Sequence, residues 1–223
     1  METQPHTPES GDKQEYLLDV AERLFAEHGF DGTSTRMIAD EANMNVAMIS
    51  YYFGSKEKMF EHLIRTKVAH MRKLSEQLAE MNDRDPWQKM EYLIEGYTDR
   101  IVNTQASFHK LMMRELSLRK RPEIVEMIEE RVSTNMKIIR NVLIDGIRAG
   151  IFREETDFSM VMVLIFGTIN HTVSAKSLIL KISVLEGKQE HISPEQLREK
   201  VKQSLKTVMA RYMLKNPAQY NYQ

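Results

Sequence analysis

A chain of 223 residues with 42% apolar composition is long enough for one large domain or two small ones, each with a real core. The absence of cysteine excludes disulfides, thiolate metal clusters and a cysteine nucleophile, and suits a reducing cytoplasm. A net charge of −1 excludes a broadly basic protein.

The opening METQPHTPESGDK lacks the apolar core of a signal peptide and is expected to be a disordered tail over 1–13. A first helix is predicted over 16–28, with Leu17, Ala21, Leu24 and Phe25 as its buried stripe and Gly29 as its stop. Thr33 or Ser34 then caps a second helix carrying Ile38, Ala39 and Ala42 on one side. Asn43 falls where that helix must stop, and Asn tolerates the left-handed conformation such a stop uses. A third short helix is predicted over 46–53. Ile49 and Phe53 point back at the second helix, which leaves Ala47, Met48, Ser50 and Tyr51 facing outward. Gly54 closes it and Ser55 caps a long helix over 56–81, lined by Phe60, Leu63, Ile64, Met71, Leu74 and Leu78. About 25 residues of helix span roughly 38 Å, enough to link two domains.

Asn82 to Pro86 breaks the chain, with Asp85 as cap and Pro86 at the first helical position. Beyond it no strand pattern occurs. Trp87, Met90, Ile94, Tyr97 and Ile101 mark one helix, and a shorter one is predicted over 107–118. Arg119 to Pro122 interrupts again, and a long helix runs from Val125 through Ile147 to Gly150. Thr156 or Asp157 caps a helix predicted over 158–185, apolar on nearly every side and therefore expected to be buried all round, which one layer of neighbours from its own chain cannot supply. After Glu186-Gly187-Lys188, Ser193-Pro194-Glu195-Gln196 reads as a capping box for a last helix bearing Leu197, Val201, Leu205, Val208 and Tyr212. Residues 216–223 are expected to fray. The longest apolar run, 160–169, is too short to span a membrane, so a cytoplasmic protein without a membrane partner is expected.

Two short helices, a turn of about four residues and a small outward face are what a helix-turn-helix needs to enter a major groove. The stretch TRMIADEANMNVAMISYYFGSKEKMF also resembles the helix-turn-helix of TetR-family transcriptional regulators. The Thr33-Ser34 start, Ile38-Ala39, the aromatic pair before Phe53 and the Ser55-Lys56-Glu57 run carry the resemblance, which is sharp over roughly 15–65. Asn43 stands in place of the usual turn glycine. Ser50 stands where an aromatic commonly meets phosphate, which leaves Tyr51 and Tyr52 to make that contact.

The resemblance implies an all-α fold: an N-terminal helix-turn-helix DNA-binding domain (14–60), then a ligand-binding and dimerisation bundle (61–215), joined by the 56–81 helix. It implies that Thr33, Ser34 and Arg36 reach the DNA backbone or groove edge. Val46, Ala47 and Met48 then face base edges, beside Ser50, while Tyr51, Tyr52 and Lys56 meet phosphates. Apolar residues on that face suit thymine methyls and DNA shape better than hydrogen-bond readout. Charge is awkward here: residues 1–60 hold only Lys13, Arg23, Arg36, Lys56 and Lys58 against eleven acids. No charge lies between Glu41 and Lys56, however, and the acids of the first helix can face away.

The C-terminal helices carry many methionines, which suits either an adaptable pocket or plain core filling. On family grounds a hydrophobic effector is expected among Tyr97, Phe108, His109, Met112, Met113, Met136, Phe166 and His171. A homodimer is expected, with Val161, Leu164, Ile165, Thr168 and Thr172 meeting Leu197, Val201, Leu205, Val208 and their symmetry mates. His62 and His70 lie eight apart with no partnered carboxylate, so no metal site or cofactor is expected, and His171 reads as a core histidine. Arg114, Arg119, Lys120 and Arg121 read as a solvated loop. The whole points to a repressor released from a pseudo-palindromic operator by a small hydrophobic ligand. The alternatives are a helical enzyme, which lacks a visible nucleophile–base pair, or a ligand-independent interaction module.

Overall fold

The computed structural model describes residues 10–101, 106–185 and 193–222; most of the expected N-terminal tail and the break at 186–188 lie outside them. Ten α-helices and no strand occur among the described residues. They are α1 (Ser10–Gly32), α2 (Thr35–Glu41), α3 (Ala47–Phe53), α4 (Lys56–Glu80), α5 (Pro86–Asp99), α6 (Ala106–Leu118), α7 (Pro122–Arg148), α8 (Phe158–Ser174), α9 (Lys176–Leu185) and α10 (Pro194–Met213). No helix among them is long and apolar enough to cross a membrane.

The chain forms two compact units that do not follow a single cut at residue 60. The first runs to His70 and takes in Lys110–Ile128; the second holds Met71–His109 and the chain from Glu129 onward. Thus α4, α6 and α7 each pass from one unit into the other.

In the first unit Leu17, Ala21, Phe25, Ile38, Ala39, Ile49, Phe53, Phe60, Leu63 and Ile64 are buried, as helical spacing requires. Leu24 is only half-buried. Three phenylalanine rings meet at the centre: Phe60 stands edge-on to Phe25 and to Phe30, each at 5.0 Å between centroids. Gly29 breaks α1 with φ 76°, and a Cβ there would run into the Arg114 guanidinium.

The second unit is built on one apolar cluster that joins Leu74, Trp87, Tyr97, Ile139, Phe152, Val161, Ile165, Leu205 and Met209, among others. Its helix starts follow the predicted chemistry. Asp85 and Ser193 both form capping boxes, with Gln88 and Gln196, and Asp157 rather than Thr156 caps α8 by accepting from the Met160 amide. α10 packs on α5 and α8. Along its edge, Arg198 and Lys202 pair with Asp99, at 3.3 and 2.6 Å, and Lys206 pairs with Glu95.

Two sequence expectations need correction, the unbroken helix over 158–185 and the frayed tail. The apolar stretch over 158–185 is not one helix, since Ala175 leaves the helical path and separates α8 from α9. Its own chain does not cover it on all sides: Met160, Val163, Leu178 and Ile182 are exposed, as expected of an apolar segment with too few neighbours of its own. The C-terminal tail does not fray. Pro217–Tyr220 forms a 3-10 turn, Tyr220 and Tyr222 pack edge-on against Trp87, and their hydroxyls donate to Asp85 (3.3 Å) and Glu91 (2.6 Å). Burial and the Glu91 carboxylate push the Tyr222 phenol well above its usual range.

Candidate nucleic-acid interface

The turn between α2 and α3 is set by two asparagines. The Met44 amide donates to the Ala39 carbonyl (2.9 Å) and the Asn43 amide to Asp40 (3.1 Å), the paired bonds of a Schellman stop. Asn43 takes the left-handed conformation this demands, at φ 52°. Asn45 then opens α3, its side-chain oxygen accepting from the Ala47 amide at 2.8 Å. The sequence reading missed this role, although an Asx turn ahead of a helix was a usable signal. Ser34 caps α2 by accepting from the Met37 amide at 3.1 Å.

Ile49 and Phe53 are buried under α3, so the opposite side is left open. Val46, Ala47, Ser50 and Tyr51 are exposed, Met48 and Tyr52 half-buried. Tyr51 is 77% exposed, a large apolar surface left open to solvent. Its ring leans edge-on against Tyr52 at 5.1 Å. Ser34 and Arg36 are exposed nearby in sequence at the start of α2. Three acids of the first unit are paired: Lys67 with Glu22 at 2.6 Å and Asp19 at 3.4 Å, and Arg23 with Glu41 at 3.6 Å.

Two of the expected DNA contacts are also engaged within the fold. Thr33 is 1% exposed, and its hydroxyl is engaged with the carbonyls of Gly29 (2.8 Å) and Leu24 (3.1 Å) at the break in α1. Lys56 donates to the carbonyls of Phe30 (3.0 Å) and Thr33 (2.9 Å) while its ammonium lies over the Phe30 ring. In the expected solvated loop, Arg114, Arg119 and Lys120 are exposed, while Arg121 is partly buried. Arg121 lies 4.3 Å from the Phe30 centroid and pairs with the buried Glu115 at 3.2 Å, and Lys120 pairs with Asp31 at 3.0 Å.

The expected effector residues divide between the units, with Met112 and Met113 in the first. In the second, Tyr97 and Phe166 meet edge-on at 4.7 Å, and His109 Nε2 lies 3.2 Å from the Asn170 amide oxygen. Burial lowers the His109 pKa and pushes that of the Tyr97 phenol up to about 12, so both are neutral near pH 7. Phe108 is buried and Met136 half-buried, but His171 is exposed, not a core histidine. It lies on an open groove of about 570 Å³ between α8 and α10, lined also by Val163, Gly167, Thr168, Lys200 and Ser204. No group of three or more residues suited to a metal occurs among the described residues.

The expected dimer set is likewise redistributed. Val161, Ile165, Leu197, Val201 and Leu205 are buried in the second unit's own core, and Thr172 is buried with its hydroxyl donated to Thr168. Leu164 is half-buried, whereas Thr168 and Val208 remain exposed.

An all-helical chain presenting an uncharged, outward-facing second helix of a helix-turn-helix has the build of a DNA-binding transcriptional regulator. Comparison with known proteins agrees. Residues 17–63 match the bacterial regulatory proteins of the tetR family, and residues 60–183 match the YsiA-like protein C-terminal region. The chain belongs to the TetR family and is a DNA-binding transcriptional regulator, not an enzyme. The fatty acid metabolism regulator protein of Bacillus subtilis is 26% identical over 161 residues, 71% of this chain and 80% of that one. The structure of the ketosteroid transcriptional regulator KstR2 of Mycobacterium tuberculosis superposes with a TM-score of 0.70 at 22% identity, covering 96% of this chain and 98% of that one. FadR from Bacillus subtilis, in complex with stearoyl-CoA, gives 0.58 at 23% identity over 86% and 96% of the two chains.

Proposed function

We propose that the protein is a homodimeric repressor in the cytoplasm that reads a pseudo-palindromic operator through α3 and leaves it when a hydrophobic small molecule enters the second unit. The observation that carries the reading is the exposed face of α3, with Tyr51 standing out at 77% exposure. Val46, Ala47 and Met48 would meet thymine methyls, Ser50 would add a polar contact, and Ser34, Arg36, Tyr51 and Tyr52 would hold phosphates. With so few cations on that face, sequence-independent affinity is weak, its salt slope is shallow, and shape contributes to specificity.

A dimer supplies the second reading head. The exposed apolar side of α8 and α9 (Met160, Val163, Leu178 and Ile182), with Val208 of α10, is the surface suited to meet its symmetry mate. A hydrophobic effector fits the apolar second unit and the stearoyl-CoA complex of the FadR relative described above. Because α4 and α6 pass from one unit into the other, a shift at the effector end has a covalent route to the helix-turn-helix.

The test is selection of bound DNA from a random pool, repeated with candidate ligands. An inverted repeat with half-sites about one helical turn apart is expected. Failure to enrich any sequence, or enrichment of a single unrepeated site, would oppose the reading.

A further inference from the structure

The stretch that matches the tetR-family regulatory proteins ends at residue 63, yet the first unit also takes in Lys110–Ile128, the end of α6 and the start of α7. The corner between these helices is tightly built. Arg119 takes the left-handed conformation at φ 49°, and its amide donates to the Glu115 carbonyl at 2.9 Å. The Arg121 carbonyl then accepts from the Ile124 and Val125 amides, which starts α7. Leu111, Ile124, Val125 and Ile128 are buried on either side of the corner and anchor it in the unit.

The polar side of this corner closes on one short segment at the break in α1. Gly29 has φ 76°, and a Cβ there would come within 2.5 Å of the Arg114 guanidinium. Arg121 lies 4.3 Å from the Phe30 centroid and 5.3 Å from that of Phe60. Asp31 pairs with Lys120 at 3.0 Å and reaches Arg121 at 3.9 Å. Each of three successive residues of the segment is thus met by a cation from α6 or the corner. Arg121 is held in turn by Glu115, 1% exposed, whose carboxylate accepts from it at 3.2 Å. Burial raises the Glu115 pKa, and Arg121 and Arg114 oppose the shift. A planar guanidinium suits this place, because it stacks on a ring while its nitrogens reach two carboxylates.

The helix-turn-helix follows directly. Thr33 is buried against the break, Ser34 caps α2, and α3 packs on α2. The direction in which the chain leaves Asp31 therefore bears on where α2 and α3 lie. We propose that Arg121 is a positioning residue for DNA binding: held by Glu115, it clamps Phe30 and fixes the α1–α2 junction, so that the α6–α7 corner belongs to the DNA-reading head. Its charge answers Glu115 and Asp31 rather than phosphate. The inference rests on the reading that α3 meets DNA.

The experiment uses the full-length protein, well below its thermal midpoint and with folding of each variant checked by circular dichroism. Hydrogen exchange is followed by mass spectrometry on the free protein. Affinity for the selected operator is measured by fluorescence anisotropy at several salt concentrations. Arg121→Ala is expected to raise exchange in peptides covering 27–44 and to leave those of the second unit unchanged. Operator binding is expected to weaken by about threefold to thirtyfold, the range for residues that act on a site without touching its ligand, with an unchanged salt slope. Arg121→Lys keeps the charge beside Glu115 but loses the flat stack, and should recover part of the affinity. If Arg121→Ala fails to fold, the double variant Glu115→Gln, Arg121→Ala removes the stranded carboxylate and takes its place.

Unchanged exchange over 27–44 would overturn the proposal. So would raised exchange with unchanged operator affinity, which would leave Arg121 holding the fold alone. A salt slope reduced by about one would place Arg121 on phosphate and overturn it too. A wild type that enriches no sequence would remove the α3 reading and the DNA-binding half of this one, while exchange would still decide whether the corner holds the α1–α2 junction.

Discussion

Lys56 Nζ sits 4.1 Å from the centroid of the Phe30 ring and donates to the Phe30 carbonyl, so the first residue of α4 closes the end of α1. Its second bond, to the Thr33 carbonyl, ties down the segment leading into α2. The opposing cation is Arg121, whose guanidinium also packs on Phe30.

Lys56→Ala is therefore expected to act first on stability. Loss of charge-assisted bonds to two carbonyls and of the ring contact should cost about 1–3 kcal/mol. For a chain of this size each kcal/mol lowers the thermal midpoint by roughly 2–4 °C. Operator binding should weaken with little change in its salt slope. An unchanged midpoint with a slope reduced by about one would return Lys56 to the phosphate.

Tyr51→Ala should behave in the opposite way. The side chain is largely exposed, so stability should stay within about 0.5 kcal/mol of the parent. Operator affinity should fall by about tenfold or more, as the removal of a well-made contact implies. Tyr51→Phe separates the ring from the hydroxyl. An operator titration unaffected by both changes would take Tyr51 out of the interface.

Much of this was legible in the sequence. Helix starts announced themselves through Ser34, Asp85, Asp157 and Ser193, because a cap is a local pattern of one oxygen and a few amides. The stop at Asn43 was legible for the same reason. What spacing could not reveal were contacts between residues far apart in the chain. Lys56 with Phe30, Arg121 with Phe30, and Tyr222 with Glu91 join segments whose approach depends on the whole fold. An apolar residue on α8 or α10 likewise carries no mark of whether its own core or a partner covers it. Val161 and Val163, two residues apart, are 0% and 57% exposed.

That contrast gives a paired test of assembly. Leu205→Glu places a carboxylate at a site only 3% exposed in the subunit's own core and should unfold the second unit, at a cost of several kcal/mol. Val163→Glu should leave the helical content intact and shift the protein from dimer to monomer in sedimentation. A folded Leu205→Glu dimer, or a Val163→Glu variant that still dimerises fully, would count against this division of surfaces.

Tyr97 sets an alkaline limit. Burial raises its pKa to about 12, with Arg100 opposing, so the folded state holds the phenol proton more tightly than the unfolded chain does, near 10. Its contribution is fully present below pH 10 and is lost as pH rises through 12. Denaturation at successive pH values should show wild type losing on the order of 2–3 kcal/mol relative to Tyr97→Phe across that window. Parallel curves would place the phenol in water.

The most direct test of a single chain with two coupled sites is calorimetric titration of an operator-releasing ligand into the protein, with and without the selected operator. Linkage requires each to weaken the other by the same factor, and tenfold relief corresponds to about 1.4 kcal/mol of coupling. The expected result is ligand affinity reduced in the presence of operator by the same factor by which ligand reduces operator affinity. Equal ligand affinities in the two titrations would contradict effector-driven release.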